Sequence, residues 1–256
     1  ADVSGLERGA DFTLSGAPLK LERSKGAISI ETDRDVQFRD LESALRVNTS
    51  AGAVRGTTNK GSVEVRGTGA EEAQIEAISG PVSVEGDGLK ASLKNIGADV
   101  TVRTSSAPVA LDNTTGLVTI DADNGEIVAG HIFGEVRVTS RGGNVRLTEL
   151  NGPVDIRADG EEVYVSWTSF PAAKDSSITN DSGGVSVEFS TSGGCLVQAQ
   201  TKEGRIETVG LPRVVVSDDR SQAQGSVGRM SRPLLKIVAN GDVRLTGNGP
   251  AEAETQ

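Results

Sequence analysis

The chain has 256 residues, a net charge of −10, 32 glycines and only 3% aromatic residues. This acidic balance argues against nucleic acid as a partner, because phosphate binding needs concentrated lysine and arginine. No apolar run approaches the ~20 residues of a helical membrane span, so we expect none in this chain. The single cysteine, Cys195, excludes an intrachain disulfide.

Residues 1–18 carry no repeat, and we predict an irregular N-terminal cap there, with Phe12 and Leu14 as its apolar pair. From residue 19, a short pattern repeats about every nine positions. It consists of two residues, mostly apolar, with one residue between them. The spacing shortens to eight before Val36 and lengthens to ten before Ala73. The pairs are Leu19/Leu21, Ile28/Ile30, Val36/Phe38, Leu45/Val47, Val54/Gly56, Val63/Val65, Ala73/Ile75, Val82/Val84, Ala91/Leu93, Val100/Val102, Val109/Leu111, Val118/Ile120, Ile127/Ala129, Val136/Val138, Val145/Leu147, Val154/Ile156 and Val163/Val165.

This pattern predicts short strands with one buried face, because side chains alternate across a strand. Equal spacing without a helical pattern leaves either an antiparallel meander or a parallel coil. Stacking alternate strands brings Arg46 beside Glu64 and Arg137 beside Asp155, and opposite charges on neighbouring strands are favourable. We therefore predict an all-β, right-handed parallel β-helix (a β-solenoid) with about two strands per 18-residue coil and capped ends.

The period breaks after Val165. We predict a single solenoid domain over 19–245 with insertions at 166–180 and 217–232, and a disordered acidic tail over 246–256. Strand-like pairs resume between the insertions, from Val185/Val187 to Val214/Val216.

No residue set points to catalysis. The chain has one histidine, His131, and one cysteine, too few for a usual zinc site or a nucleophilic triad. The segment Gly142-Gly143-Asn144-Val145 lacks the glycine and aspartate of a calcium-binding β-roll repeat. We expect no catalytic residues, no metal and no cofactor.

The residues Tyr164, Trp167 and Phe170 hold three of the seven aromatic side chains. They either fill the core beside the first insertion or form a partner-binding site, because tyrosine and tryptophan are enriched at binding hot spots. A run of low charge, Gln74, Ser92, Ala110 and Val128, marks an outer face for a partner or for self-association.

The repeated phrases Gly80-Pro81-Val82-Ser83-Val84, Gly134-Glu135-Val136-Arg137-Val138, Gly152-Pro153-Val154-Asp155-Ile156 and Gly241-Asp242-Val243-Arg244-Leu245 resemble the half-repeats of a bacterial adhesin-like family, a domain-of-unknown-function group. The resemblance covers roughly residues 19–245. It implies a β-helical domain in cell-envelope proteins and carries over no catalytic residue.

From these observations we expect a non-enzymatic, adhesin-like binding or scaffold surface at the cell envelope, periplasmic or surface-exposed, with a protein or a glycan as partner. Two alternatives stay open. The first is a carbohydrate-active or carbohydrate-binding β-helix, which requires a cleft with converging acids near Trp167 and Tyr164. The second is a self-assembling scaffold that polymerises through uncapped ends.

Overall fold

The protein is all-β over the residues that the computed structural model describes, which are 1–171, 174–190, 193–228 and 233–248. The chain divides into two compact units, Ala1–Val128 and Ala129–Gln256. Strand β15 (Ile127–Ile132) crosses the boundary.

In the first unit, the strands alternate between two parallel sheets. The first sheet contains β1 (Asp2–Ser4), β3 (Leu19–Glu22), β5 (Val36–Leu41), β7 (Ala53–Asn59), β9 (Glu72–Ile78), β11 (Lys90–Ile96) and β13 (Val109–Thr114). The second sheet contains β2 (Ala10–Leu14), β4 (Ile28–Thr32), β6 (Leu45–Thr49), β8 (Val63–Gly67), β10 (Val82–Asp87), β12 (Val100–Ser105) and β14 (Val118–Asp123). Each strand pairs with the strand two places along the chain.

The nine-residue period is therefore confirmed as a parallel stack with two strands per coil. Val100 lies opposite Val118, and Thr101 lies opposite Thr119. The valines are fully buried, while the threonines between the apolar positions point outward. β-Branched residues suit this arrangement, because they pack well on a pleated surface. The right hand of the coil stays a prediction.

The first 18 residues differ from the prediction of an irregular segment. Strands β1 and β2 pair in parallel with β3 and β4, so they form one more layer of the stack. The period-2 pattern in Ala10–Leu14 is present, but its inward residues are only half-buried. The terminal layer has a neighbour on one side only, which explains the weaker apolar pattern.

The predicted charge pairs on the outer faces are confirmed as neighbours. Arg46 Nε lies 2.9 Å from Glu64 Oε2, and Arg137 lies opposite Asp155 in the second unit. Arg137 nevertheless donates its hydrogen bond to Glu135 at 2.9 Å, and Asp155 accepts one from Ser177 at 2.6 Å. The sequence therefore predicted which residues lie opposite each other on neighbouring strands. It did not predict which nearby residue each charged side chain would bond to.

One corner of the first unit holds a column of non-glycine residues in the left-handed region of backbone space. They are Arg23 (φ 50°), Asp40 (φ 56°), Thr58 (φ 57°), Ala77 (φ 58°), Asn95 (φ 57°) and Asn113 (φ 57°). Each is followed by a buried residue, so the left-handed residue turns the strand end back into the core. Asn113 Nδ2 donates to Asn95 Oδ1 at 2.7 Å, which links two layers of the corner.

Ala77 is poorly suited to this corner, because a left-handed conformation costs an L-residue with a Cβ about 1–2 kcal/mol. We expect Ala77→Gly to raise the free energy of unfolding by about 0.5–1 kcal/mol, after the larger chain entropy of glycine is subtracted. The matched control is Ala110→Gly on an extended strand, which should lower stability by about as much. Urea unfolding measures both, and an Ala77→Gly protein no more stable than wild type would contradict this account.

The second unit continues with strands in two sheets. One contains β17 (Val145–Leu150), β19 (Glu162–Trp167), β21 (Gly184–Ser190), β23 (Ile206–Val209) and β27 (Val243–Asn248). The other contains β16 (Val136–Arg141), β18 (Val154–Asp159), β20 (Ser176–Asn180), β22 (Cys195–Thr201), β24 (Val214–Val216), β25 (Gln222–Val227) and β26 (Leu234–Ala239).

The spatial order of the last layers departs from chain order. The final coil, β26 and β27, lies between the coil β20–β21 and the coil β22–β23. Ile237 of β26 is opposite Ile178 on one side and Ala199 on the other. In the other sheet, Leu245 of β27 is likewise opposite Val187 and Thr208. The chain therefore leaves a gap of one layer and fills it with its own last coil.

Both predicted insertions contain strands. Within 166–180, β19 runs to Trp167 and β20 begins at Ser176, while 172–173 lie outside the described residues. Within 217–232, β25 pairs antiparallel with both β22 and β24, while 229–232 lie outside the described residues. Strand β27 includes 246–248 of the predicted tail, and 249–256 lie outside the described residues.

Candidate functional site

The three aromatic residues predicted from the sequence do not share one surface. Tyr164 and Trp167 lie on the same strand, β19, three positions apart, and an odd separation places side chains on opposite faces. Tyr164 points outward and is half-buried, whereas Trp167 and Phe170 are only 4% and 7% exposed. The structure thus separates Tyr164 from the other two residues.

Trp167 and Phe170 belong to an aromatic cluster in the interior of the second unit. The ring centroids of Trp167 and Phe170 are 4.9 Å apart, and Phe189 lies 6.5 Å from Trp167 and 6.4 Å from Phe170. The indole Nε1 of Trp167 donates a hydrogen bond to the carbonyl of Gly152 at 3.0 Å. The Trp167–Phe189 pair is stacked and the other two pairs are tilted. Such ring packing, with a partner for the polar atom, is typical of buried aromatic residues.

Tyr164 lies in an outward row that we name the tyrosine row. It consists of Arg146, Tyr164, Ser186, Arg244 and Glu207, which follow one another in register across five strands. The guanidinium carbon of Arg146 is 4.4 Å from the centroid of the tyrosine ring. This cation–π contact fixes the ring on a rigid sheet face.

Burial, together with the hydrogen bond and charge of Glu188, raises the pKa of the Tyr164 phenol above its ordinary value. The neutral phenol is thus favoured in the folded protein. The contribution of the neutral phenol to the free energy of unfolding is present below the ordinary phenol pKa. It is lost as pH rises through the pKa of Tyr164 in the folded protein.

Tyr164 is the single tyrosine of the chain, so phenolate absorbance follows this residue alone. We expect Glu188→Gln to lower the titration midpoint, because it removes an anion that disfavours the phenolate. Arg146→Ala should raise the midpoint, because the guanidinium favours the phenolate. A Glu188→Gln midpoint equal to or above that of wild type would contradict the arrangement.

Two acidic residues, Glu162 and Glu188, lie near Tyr164. Glu162 lies opposite Gly184, and Glu188 is four residues further along that neighbouring strand. This places their Cα atoms about 14 Å apart at 3.3 Å per residue. Glu162 accepts a hydrogen bond from the Ser186 hydroxyl at 3.1 Å.

The other candidates for chemistry in the sequence are His131 and Cys195. His131 lies at a corner, with Nε2 2.8 Å from Glu149 Oε2. Cys195 is buried, and burial raises its pKa to about 12, which suppresses the reactive thiolate. Among the described residues, no group of three or more histidine, cysteine, aspartate or glutamate side chains is arranged to hold a metal ion. The described segments also contain no helix with the length and apolar character of a membrane span.

A second surface, not predicted from the sequence, lies on the outer face of β26, β22, β25 and β24. We name it the glutamine groove. A row of side chains crosses these four strands in register, and Gln200 and Gln222 form the next row. The first row is Lys236, Gln198, Gln224 and Val215. The groove encloses about 300 Å³. The repeated tripeptide Gln-Ala-Gln at 198–200 and 222–224 is a sequence signal that would have indicated it.

Among the surfaces of low charge, Gln74, Ser92 and Ala110 lie in successive register on the outer face of the first unit, as predicted. Val128 is 40% exposed. Their use by a partner or a second copy stays a prediction.

In comparisons with known proteins, no family model matches this chain, and no curated protein or solved structure is significantly similar to it.

Proposed function

We propose that this protein is a non-enzymatic, adhesin-like β-solenoid of the bacterial cell envelope that presents a rigid surface to a macromolecular partner, a protein or a glycan. The observation that carries the proposal is Tyr164 held under Arg146 on an outward sheet face. The resemblance of the half-repeats to the adhesin-like family supports the envelope as the location.

The tyrosine row suits binding for two physical reasons. Tyrosine and arginine are enriched among the residues that dominate binding energy at interfaces. Strands paired on both sides also lose little freedom when a partner binds, so ordering costs less than it does for a loop. Tyr164 has both properties, because β19 is paired with β17 and β21.

End-to-end polymerisation, the second alternative from the sequence, finds little support at the last layers of the second unit. There the outer neighbour of β22 is the antiparallel strand β25, followed by the three-residue strand β24. A further parallel coil would have to displace this pair. Short edge strands are a common protection against edge pairing.

The experiment is a binding assay of the whole chain on a glycan array and on a bacterial envelope fraction. We expect Tyr164→Ser to weaken binding at least tenfold, which is the loss typical of a hot-spot residue. The matched control is Arg55→Ser, an outward residue of the first unit with 44% side-chain exposure, and it should bind like wild type.

Two results would overturn the proposal. One is binding that Tyr164→Ser and Arg146→Ser leave unchanged. The other is turnover of an arrayed glycan that Glu188→Gln abolishes, which would establish a carbohydrate-active enzyme instead.

A further inference from the structure

The four glutamines of the glutamine groove carry hydrogen-bonding groups that the fold does not use. Gln198, Gln200, Gln222 and Gln224 are exposed. Within the described part of the chain, none of their side chains has a hydrogen-bond partner. Each primary amide offers one carbonyl acceptor and two N–H donors. The groove therefore presents an array of neutral donors and acceptors on one rigid face.

Apolar side chains continue this surface. Val215, at one end of the first row, is 70% exposed, and Leu196 is 37% exposed. Both line a hollow that adjoins the groove and shares Gln198 and Gln224 with it. Val215 and Leu196 thus add an apolar border to the neutral amides of the groove.

The charge of the surface is opposite to that of the chain. The described residues that line the groove and the adjoining hollow include Lys236 and Arg213 and no carboxylate, although the chain carries a net charge of −10. Lys236 forms no ion pair with a described carboxylate. Ser217 lines the edge of the groove opposite Lys236, and next to it the carboxylate of Asp219 accepts hydrogen bonds from Ser217 and Ser221. At its Lys236 end, away from Asp219, the groove thus favours an anionic group of a ligand.

We propose that the glutamine groove binds an extended, acidic peptide segment of a partner protein. Gln198 and Gln200 are alternate residues of β22, and Gln222 and Gln224 are alternate residues of β25. Alternate residues of an extended chain repeat every ~6.6–6.8 Å, so the two amide pairs match the repeat of backbone groups in an extended peptide. Val215 and Leu196 receive aliphatic side chains, and Lys236 pairs with a carboxylate.

A peptide fits these residues better than the other macromolecules do. A nucleic acid requires several phosphate contacts from clustered cations, whereas this surface has Lys236 and Arg213. The described lining residues include no aromatic side chain on which a sugar ring could stack. The proposal concerns a surface separate from the tyrosine row, so the two can fail independently.

The test is fluorescence anisotropy of the whole chain with a labelled eight-residue peptide of alternating valine and glutamate. A peptide of alternating valine and lysine is the charge control. We expect the acidic peptide to bind at least tenfold more tightly than the basic one. The double variant Gln198→Ala/Gln224→Ala should weaken binding about tenfold, as expected for two lost hydrogen bonds. Lys236→Met should reduce the preference for the acidic peptide.

The matched control is Gln37→Ala/Gln74→Ala, which removes two outward glutamines of the first unit and should leave binding unchanged. Tyr164→Ser should also leave it unchanged. The proposal is overturned if the acidic peptide does not bind at millimolar concentration, or if Gln198→Ala/Gln224→Ala binds it as wild type does. It is also overturned if neutral or acidic oligosaccharides, rather than the peptide, bind and are lost in that double variant.

Discussion

Gly56→Ala is expected to destabilise the protein by about 3 kcal/mol. Gly56 occupies an inward position of β7 and lies opposite Phe38 of β5. A Cβ at Gly56 would lie 1.9 Å from Cζ of the Phe38 ring and 2.0 Å from Cε1. The ring is 3% exposed and packed in the core, so moving it away would disturb its buried neighbours. The space that a side chain at position 56 would occupy is filled by the ring of Phe38 in the neighbouring layer.

A second substitution should restore the lost stability. Phe38→Leu alone removes part of the ring and should cost about 1–2 kcal/mol through the cavity it leaves. In the double variant Phe38→Leu/Gly56→Ala, the added methyl group occupies space that the ring vacates, and volume-conserving changes usually cost under ~1.5 kcal/mol. The double-mutant cycle should therefore show a favourable coupling of about 2 kcal/mol or more.

Gly97→Ala provides the control for this cycle, because a Cβ there would meet its nearest atom at an ordinary 3.5 Å. We expect it to change the free energy of unfolding by about 0.5 kcal/mol or less. Equal stabilities of Gly56→Ala and Gly97→Ala in urea unfolding would contradict the packing of Phe38 over Gly56.

Ile237→Ala is expected to cost about 2–5 kcal/mol, because Ile237 is fully buried between Ile178 and Ala199. Because Ile237 has a neighbouring strand on each side, its loss should weaken the pairing of β26 with both strands. Amide hydrogen exchange should become faster in β20 on one side and in β22 on the other, since both strands pair with β26.

If the strands instead stacked in chain order, β26 would be a terminal layer and β20 would keep its protection. Val215→Ala, an exposed residue of the same sheet, serves as the control and should change stability by about 0.5 kcal/mol or less. The fluorescence of the single tryptophan, Trp167, reports unfolding of this unit. Exchange that quickens in β22 alone would contradict the insertion of β26 between the two strands.

The stack and its register were predictable because they depend on local patterns. An apolar pair such as Val100/Val102 must face inward, and equal spacing aligns it with Val118/Ile120. The same reasoning placed Arg46 beside Glu64. Each of these inferences needs only the alternation of side chains and a constant coil length.

Other features depend on contacts that a periodic pattern does not specify. In the repeat, Gly56 stands at an inward position that is otherwise apolar. A glycine is required there because the ring of Phe38, one layer away, fills the space. The position of β26 between β20 and β22 was not predictable, because periodicity defines strands and not their order after an interruption. Trp167 and Tyr164 were grouped by proximity in the sequence, although alternation along β19 already assigns them to opposite faces.

The parallel stacking of alternate strands is tested most directly by disulfide formation in a Cys195→Ser background. Thr101→Cys with Thr119→Cys places thiols on neighbouring parallel strands about 4.8 Å apart, within the Cα distances that a disulfide tolerates. Thr101→Cys with Ala110→Cys places them on consecutive strands that belong to different sheets. After mild oxidation, peptide mapping by mass spectrometry should find the intrachain disulfide in the first protein and free thiols in the second, whereas the reverse result would contradict the parallel stack.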